Sequence, residues 1–324
     1  MSADLAASPS PQAVGKLLVE LGLADPTDDV TLRRLTGGAS RATFLVEVAE
    51  TRYVLRVDGD TLGAGHPLDV EAELLSIAGA GGVCAPRVHA VESGLATLGA
   101  PFLLMEFVDG RTLPKRILHD RELARARTLL PAQLGDALGR LHRIPLDHAP
   151  AALVAAGDEV ARWRDALDSY GQPHPAFELG LRWLDDHRPA AVPEVILHGD
   201  FRLGNLIVDE SGLRAVLDWE LAHTGDPRED LGWLCASSWR FGGPRPVAGL
   251  GEYEPLLDAY AAQTGLVVSV EELHWFEALA TLRWGVICLG QTMRHLRGTT
   301  RSVELAALGR RVCEVEWSLL EATA

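Results

Sequence analysis

The sequence predicts an α+β protein in two lobes, an antiparallel sheet with one packed helix followed by a larger helical part. Three observations predict it. Apolar residues fall in short β-type runs up to about residue 107 and recur at helical spacing beyond it. The chain has 324 residues, more than one hydrophobic core usually organises. Its composition, 47% hydrophobic and 23% charged, is that of a globular protein and excludes disorder.

The elements follow in order. Residues 12–23 carry Val14, Leu17, Leu18 and Leu21 at helical spacing, which puts a helix inside a leader of residues 1–30. Residues 32–35, 42–48 and 52–57 are β-type runs, the first two separated by the turn-rich Thr36-Gly37-Gly38-Ala39-Ser40. Residues 69–78 place Val70, Leu74 and Ile77 on one helix face, ahead of a break at Gly79, Gly81 and Gly82. Two more strands are expected at 88–91 and 101–107. The pattern changes at Val108-Asp109-Gly110, so the chain divides into residues 1–109 and 110–324. Beyond the boundary, Leu134, Ala137, Leu138 and Leu141 mark a helix over 133–144. Residues 195–197, 205–208 and 213–217 form a β insertion, the last two runs joined by Asp209-Glu210-Ser211-Gly212. All eight tryptophans lie in the second part, where anchoring helix packing is the commoner role and lining a cleft the alternative.

The net charge is −15, carried as −8 over residues 1–110 and −7 over the rest. A spread acidic excess serves solubility and argues against a nucleic-acid partner, which needs clustered Lys and Arg. Cys84, Cys235, Cys288 and Cys313 lack the spacing of a zinc site or a redox pair. The first residues do not read as a signal peptide, and the apolar stretch 275–289, broken by Glu277 and Arg283, is too short for a bilayer. A cytoplasmic protein with no membrane partner is therefore expected; its oligomeric state is not readable.

The chemistry concentrates in His198-Gly199-Asp200-Phe201-Arg202-Leu203-Gly204-Asn205, followed by Asp218-Trp219-Glu220. Phosphoryl transfer needs one carboxylate to orient the attacking hydroxyl and take its proton, and a carboxamide and second carboxylate to hold Mg²⁺ against nucleotide phosphates. An Asp, an Asn five residues on and an Asp after a short hairpin supply that order. Any one of them alone would read as a turn or a strand-end cap.

On these residues the chain resembles the aminoglycoside phosphotransferase and choline kinase superfamily, small-molecule relatives of protein kinases, over roughly residues 30–235. It is most similar to the phosphotransferase domains related to those fused to some acyl-CoA dehydrogenases, whose stretch also reads HGDFRxGN followed by DWE. The resemblance implies a protein-kinase-like two-lobed fold, ATP as phosphoryl donor and Mg²⁺ as cofactor. It implies Asp200 as catalytic base, Asn205 and Asp218 as metal ligands, a nucleotide-binding lobe 1–109, and a catalytic and substrate lobe 110–324.

The first lobe offers the remaining parts in the order the resemblance implies. Gly37-Gly38-Ala39-Ser40, with Gly38 and Ser40 as the contacts, would cover the phosphates. Arg56 stands where kinases carry a phosphate-binding Lys; only Lys16 and Lys115 occur in the chain, and Arg keeps a permanent charge and a bidentate fork. Its partner would be Glu71, since Glu73 lies on a different helix face. Residues 103–110 would be the hinge, with Met105 behind the base and the backbones of Glu106 and Val108 at its edge. Gly199 replaces the Arg that receives an activation-loop phosphate, and the stretch from Asp218 to Gly225-Asp226-Pro227 is short, so a small-molecule hydroxyl acceptor is expected. Asp226 and Asp230 read as helix capping and support of the catalytic loop, and His142 as a structural hydrogen-bonder.

Two other classes stay open: a catalytically inactive nucleotide-binding regulator, and a metal-dependent phosphoesterase, for which His198 has only His223 nearby. The acceptor is equally open between aminoglycosides, choline-like alcohols, sugars and hydroxyacyl compounds. Arg283, in an otherwise apolar helix, would either pair with a structural carboxylate or receive an anionic substrate.

Overall fold

The structure, a computed structural model, describes residues 9–35, 41–58 and 65–324. Helix α1 (Pro11–Glu20) starts where the Ser10 hydroxyl accepts the Ala13 N–H at 3.1 Å and Pro11 takes a position needing no donor. Strands β1 (Val30–Arg34), β2 (Ala42–Val48), β3 (Thr51–Val57), β4 (Val88–Glu92) and β5 (Phe102–Glu106) form one antiparallel sheet in the order β1-β2-β3-β5-β4. Helix α2 (Leu68–Ala80) lies between β3 and β4 in sequence and packs on β4 and β5.

The period-two geometry of β5 explains its unbroken apolar run Phe102-Leu103-Leu104-Met105. Phe102 and Leu104 join Val14 and Leu18 of α1 on one face, while Leu103 and Met105 join Leu74 and Leu75 of α2 on the other. Both faces are covered, so the strand needs no polar alternation.

Past β5 the chain is mainly helical: α3 (Pro114–His119), α4 (Ala124–His142), α5 (Glu159–Asp168), α6 (Pro175–Asp186), α7 (Arg228–Cys235), α8 (Tyr253–Thr264), α9 (Val270–Leu296), α10 (Val303–Leu308) and α11 (Val312–Ala322). α4 begins nine residues before the expected start. Pro131 is buried within the helix and packs beside Gly251. α4 and α8 pack closely because Gly135 has no side chain; a Cβ there would overlap the Leu256 carbonyl. α9 opens with a capping box in which the Ser269 hydroxyl accepts the Glu272 N–H at 3.1 Å and Glu272 returns the bond. At 27 residues it is the longest described helix, yet no described helix is long and apolar enough to cross a membrane.

The β insertion makes two small antiparallel pairs. β6 (Val195–Leu197) pairs with β9 (His223–Gly225), a strand too short to show in the sequence, and β7 (Leu206–Asp209) pairs with β8 (Gly212–Val216). A single apolar cluster extends from α2 and β5 through α4 to Leu206, Val208 and Val216, so the sheet and the insertion are held against one another. Between them opens a cleft of about 390 Å³.

Candidate active site

The loop after β6 is pinned by one carboxylate. Asp230, on the first turn of α7 and 1% exposed, accepts the backbone N–H of His198 at 2.8 Å and of Gly199 at 2.9 Å. The His142 Nε2–H donates to it at 3.2 Å, with Nδ1 of the same ring 3.0 Å from the Tyr260 hydroxyl. Burial works against ionisation of Asp230, yet these donors outweigh it and hold the carboxyl at about 2. His198 is itself enclosed: burial lowers its pKa, its Nε2 donates to the Leu217 carbonyl at 2.9 Å, and its Nδ1 accepts the Asp200 N–H at 3.1 Å. A neutral imidazole thus ties the start of the loop to the end of β8. Gly199 sits at φ +79°, where a Cβ would overlap the Leu221 carbonyl. These contacts place Asp230 and His142 where support of the loop was expected. Asp226 accepts the Arg228 N–H at 3.0 Å at the start of α7.

Asp200 projects from this loop with three side-chain donors on its carboxylate. Oδ1 accepts Arg202 Nε at 2.9 Å and Trp233 Nε1 at 2.8 Å, and Oδ2 accepts Asn205 Nδ2 at 2.6 Å. Asn205 Nδ2 also donates to the Asp200 carbonyl at 2.9 Å, which leaves the amide oxygen for another partner. Asp218 lies just beyond β8 at φ +66°, a left-handed conformation uncommon for a non-glycine residue, and lines the cleft together with Asn205. The Asn205 carbonyl is bonded by the Leu217 N–H at 2.8 Å, so the hairpin ends hold the two side chains close. Among the described residues no three of His, Cys, Asp and Glu gather as a metal site. An amide oxygen and a carboxylate lining one cleft nevertheless suit Mg²⁺, which takes few protein oxygens and completes its shell with phosphates and water.

The opposite wall is built on β3 and α2. Arg56 Nη1 bonds Glu71 Oε1, and its Nη2 lies 3.5 Å from Asp218 Oδ1. The second oxygen of Glu71 accepts Arg41 Nη1 at 2.8 Å. Burial pushes the Glu71 carboxyl above its ordinary value against the pull of both arginines. Met105, Glu106 and Val108 line the same cleft. The Glu106 N–H donates to the Arg87 carbonyl at 2.9 Å, whereas the Val108 N–H has no acceptor among the described residues. Gly38 and Ser40 lie outside the described residues.

Residues 31–265 match the phosphotransferase enzyme family. The chain belongs to that family. Mouse acyl-CoA dehydrogenase family member 10 is 26% identical over 94% of this phosphotransferase-family chain and 30% of its own length, and chicken member 11 is 27% identical over 84% and 38%. The chain thus spans about a third of the length of these curated relatives. Among solved structures, a Ralstonia eutropha protein assigned to the aminoglycoside phosphotransferases aligns with a TM-score of 0.77 at 23% identity over 98% of each chain. A choline/ethanolamine kinase family protein from Mesorhizobium loti gives 0.63 at 20% identity over 96% of this chain and 97% of its own. These likenesses establish the kinase-like fold of the phosphotransferase family.

Several residues of this phosphotransferase-family site escape a reading of the sequence. Arg41 bonds Asp58 Oδ1 at 2.6 Å, Glu71 and the His66 carbonyl, and its only sequence signal is its place directly after the glycine-rich turn. His66 in turn joins the segment after Asp218, its N–H donating to the Glu220 carbonyl at 3.0 Å and its Nε2 lying 2.6 Å from the Ala222 carbonyl. Trp233 reaches Asp200 from α7, three residues after Asp230 and therefore on the same helix face. Arg283, left open between a structural carboxylate and an anionic substrate, bonds the Gly199 carbonyl at 2.8 Å from Nη2, and its guanidinium lies 4.3 Å from the Trp233 ring centroid. Helix α9 has the loop after β6 beside it at this point, and the loop presents a carbonyl there.

Proposed function

We propose that the protein transfers the γ-phosphoryl group of ATP, with Mg²⁺, to a hydroxyl of a small molecule. The observation that carries the reading is Asn205 and Asp218 lining one cleft with the Arg56–Glu71 pair, with the Asp200 carboxylate bonded to Asn205. In this reading residues 1–109 hold the nucleotide and residues 110–324 supply the catalytic loop and the acceptor site. Support for a nucleotide comes from solved members of the fold, aminoglycoside 2′-phosphotransferase-IIIa with GDP and a spectinomycin phosphotransferase with ADP and spectinomycin.

Asp200 accepts the proton of the acceptor hydroxyl as its oxygen attacks the γ-phosphorus and the bond to the bridging oxygen breaks, with ADP leaving. Arg56, oriented by Glu71, turns its fork to the phosphates. Glu106 and Val108 offer a carbonyl and an N–H to the edge of the base. Mg²⁺ held by Asn205 and Asp218 would supply charge neutralisation for the phosphate oxygens.

The test is incubation with Mg-ATP and a panel of hydroxyl-bearing metabolites spanning aminoglycosides, amino alcohols, sugars and hydroxy acids. ADP release is read together with the mass of the phosphorylated product. Product formation abolished by Asp200→Asn supports the proposal; failure to bind Mg-ATP at all overturns it.

A further inference from the structure

The hydrogen bonds on Asp200 are distributed unequally. An ionised carboxylate oxygen has two lone pairs. On Oδ1 both are taken, by Arg202 Nε at 2.9 Å and Trp233 Nε1 at 2.8 Å; on Oδ2 only Asn205 Nδ2 is bound, at 2.6 Å. One lone pair of Oδ2 is left for an incoming hydroxyl.

The Trp233 indole is held firmly in this position. It is buried, its ring packs 5.2 Å from Trp239, and Arg283 lies over it at 4.3 Å while Nη2 of the same arginine holds the Gly199 carbonyl at 2.8 Å. Arg202 is braced in the same way, its guanidinium 4.6 Å from the Trp239 ring centroid. Asp230 and Trp233 are one helical turn apart on α7, so one helix fixes both the backbone of the loop and the carboxylate that projects from it.

We propose that Trp233 is a positioning residue for phosphoryl transfer: by saturating Oδ1 with Arg202 it directs the acceptor hydroxyl to Oδ2 of Asp200. The proposal rests on Asp200 being the base. In the step, the acceptor oxygen forms its bond to the γ-phosphorus and its proton passes to Oδ2. The bond from phosphorus to the bridging oxygen breaks and its electron pair leaves with ADP. The proton on Oδ2 is released to solvent, restoring the carboxylate. Without the indole N–H, Oδ1 has a free lone pair and the carboxylate can rotate, so a productive hydroxyl is no longer the only one accommodated.

The experiment uses water as the acceptor, measured as phosphate release from Mg-ATP by the full chain. Two variants remove the indole N–H. Trp233→Phe shortens the ring, while replacement of Trp233 by β-(3-benzothienyl)alanine keeps its shape and substitutes sulfur for the N–H. The expected result is a kcat lowered about 10- to 100-fold in both, the scale of one hydrogen bond to a charged group. KM for Mg-ATP stays within about twofold, because nucleotide binding does not use this contact. The thermal midpoint of the benzothienyl variant stays at that of the wild type. A benzothienyl variant with wild-type kcat overturns the positioning role, as does one whose loss lies in KM. Asp200→Asn is run beside it: if that substitution leaves turnover unmoved, the base assignment itself falls, and a wild-type rate that drops with Asp200→Asn but not with the benzothienyl residue overturns the Trp233 proposal alone.

Discussion

Replacing Asp230 by Asn should remove a pH-dependent share of stability that can be worked from the geometry. The carboxyl is held at about 2, against an ordinary value of about 3.9. That depression corresponds to about 2 to 3 kcal/mol at neutral pH. The sign follows from the direction of the shift. A depressed folded pKa stabilises the fold above the unfolded value, and that contribution is lost as pH falls from about 4 towards 2. Asparagine keeps one acceptor oxygen and puts an NH₂ where the other oxygen faced a donor. At least one of the His198 and Gly199 N–H groups is then stranded. Urea unfolding followed by tryptophan fluorescence at pH 7, 4 and 3 would measure the gap between wild type and Asp230→Asn. It should be about 2 to 3 kcal/mol or more at pH 7 and narrower by about 1 kcal/mol at pH 3. A gap that is constant from pH 7 to pH 3 would refute the argument, because the charged carboxylate would then not be what holds the loop.

Arg56→Ala should lower phosphoryl transfer on the order of 10²-fold with little loss of stability, since Arg41 still neutralises Glu71, and Arg56→Lys should retain part of the activity; equal rates for wild type and Arg56→Ala would exclude the role. Gly199→Ala should cost more than about 1 kcal/mol in chemical denaturation, because the left-handed backbone and the Leu221 carbonyl both oppose a Cβ. Burial pushes the Glu277 carboxyl up to about 7 despite the Tyr253 hydroxyl and Arg240 beside it. The unfolded chain therefore releases this proton first as pH rises, and wild-type stability should decline between about pH 4.5 and 7; Glu277→Gln should flatten that decline, seen as urea midpoints that no longer fall across the window.

What could be read from the sequence was whatever depends on neighbours along the chain. The β-type runs of β2 and β3, the face of α2 carrying Leu74, and the Asp200, Asn205 and Asp218 spacing are all local; the structure has the strands and helix at the expected places, with β7 starting one residue after Asn205. What could not be read joins distant segments. The indole of Trp233 meets a carboxylate 33 positions earlier, and Arg283 meets a carbonyl 84 positions away. Nothing in the composition of α9 distinguishes a carbonyl from a carboxylate as the partner of a buried arginine. β9 is only three residues long and exists because β6 offers it a ladder. Pro131 lies inside α4. Its propensity opposes a helix, and packing against the turn at Gly251 overrides it. Arg41 shows the same limit beside β3 and α2, where a single carboxylate, Glu71, is shared by two arginines that lie 15 residues apart along the chain.

The central claim, that Asp200 acts on the acceptor and Asp218 on the metal, is tested most directly by calorimetric titration of Asp200→Asn and Asp218→Ala with Mg-ATP alongside their turnover. The two should fail differently. Asp200→Asn should bind Mg-ATP as the wild type does while kcat falls on the order of 10²- to 10⁴-fold. Asp218→Ala should weaken Mg²⁺-dependent nucleotide binding and abolish turnover. Unchanged turnover in Asp200→Asn, or nucleotide binding by Asp218→Ala with the wild-type dependence on Mg²⁺, would contradict the account.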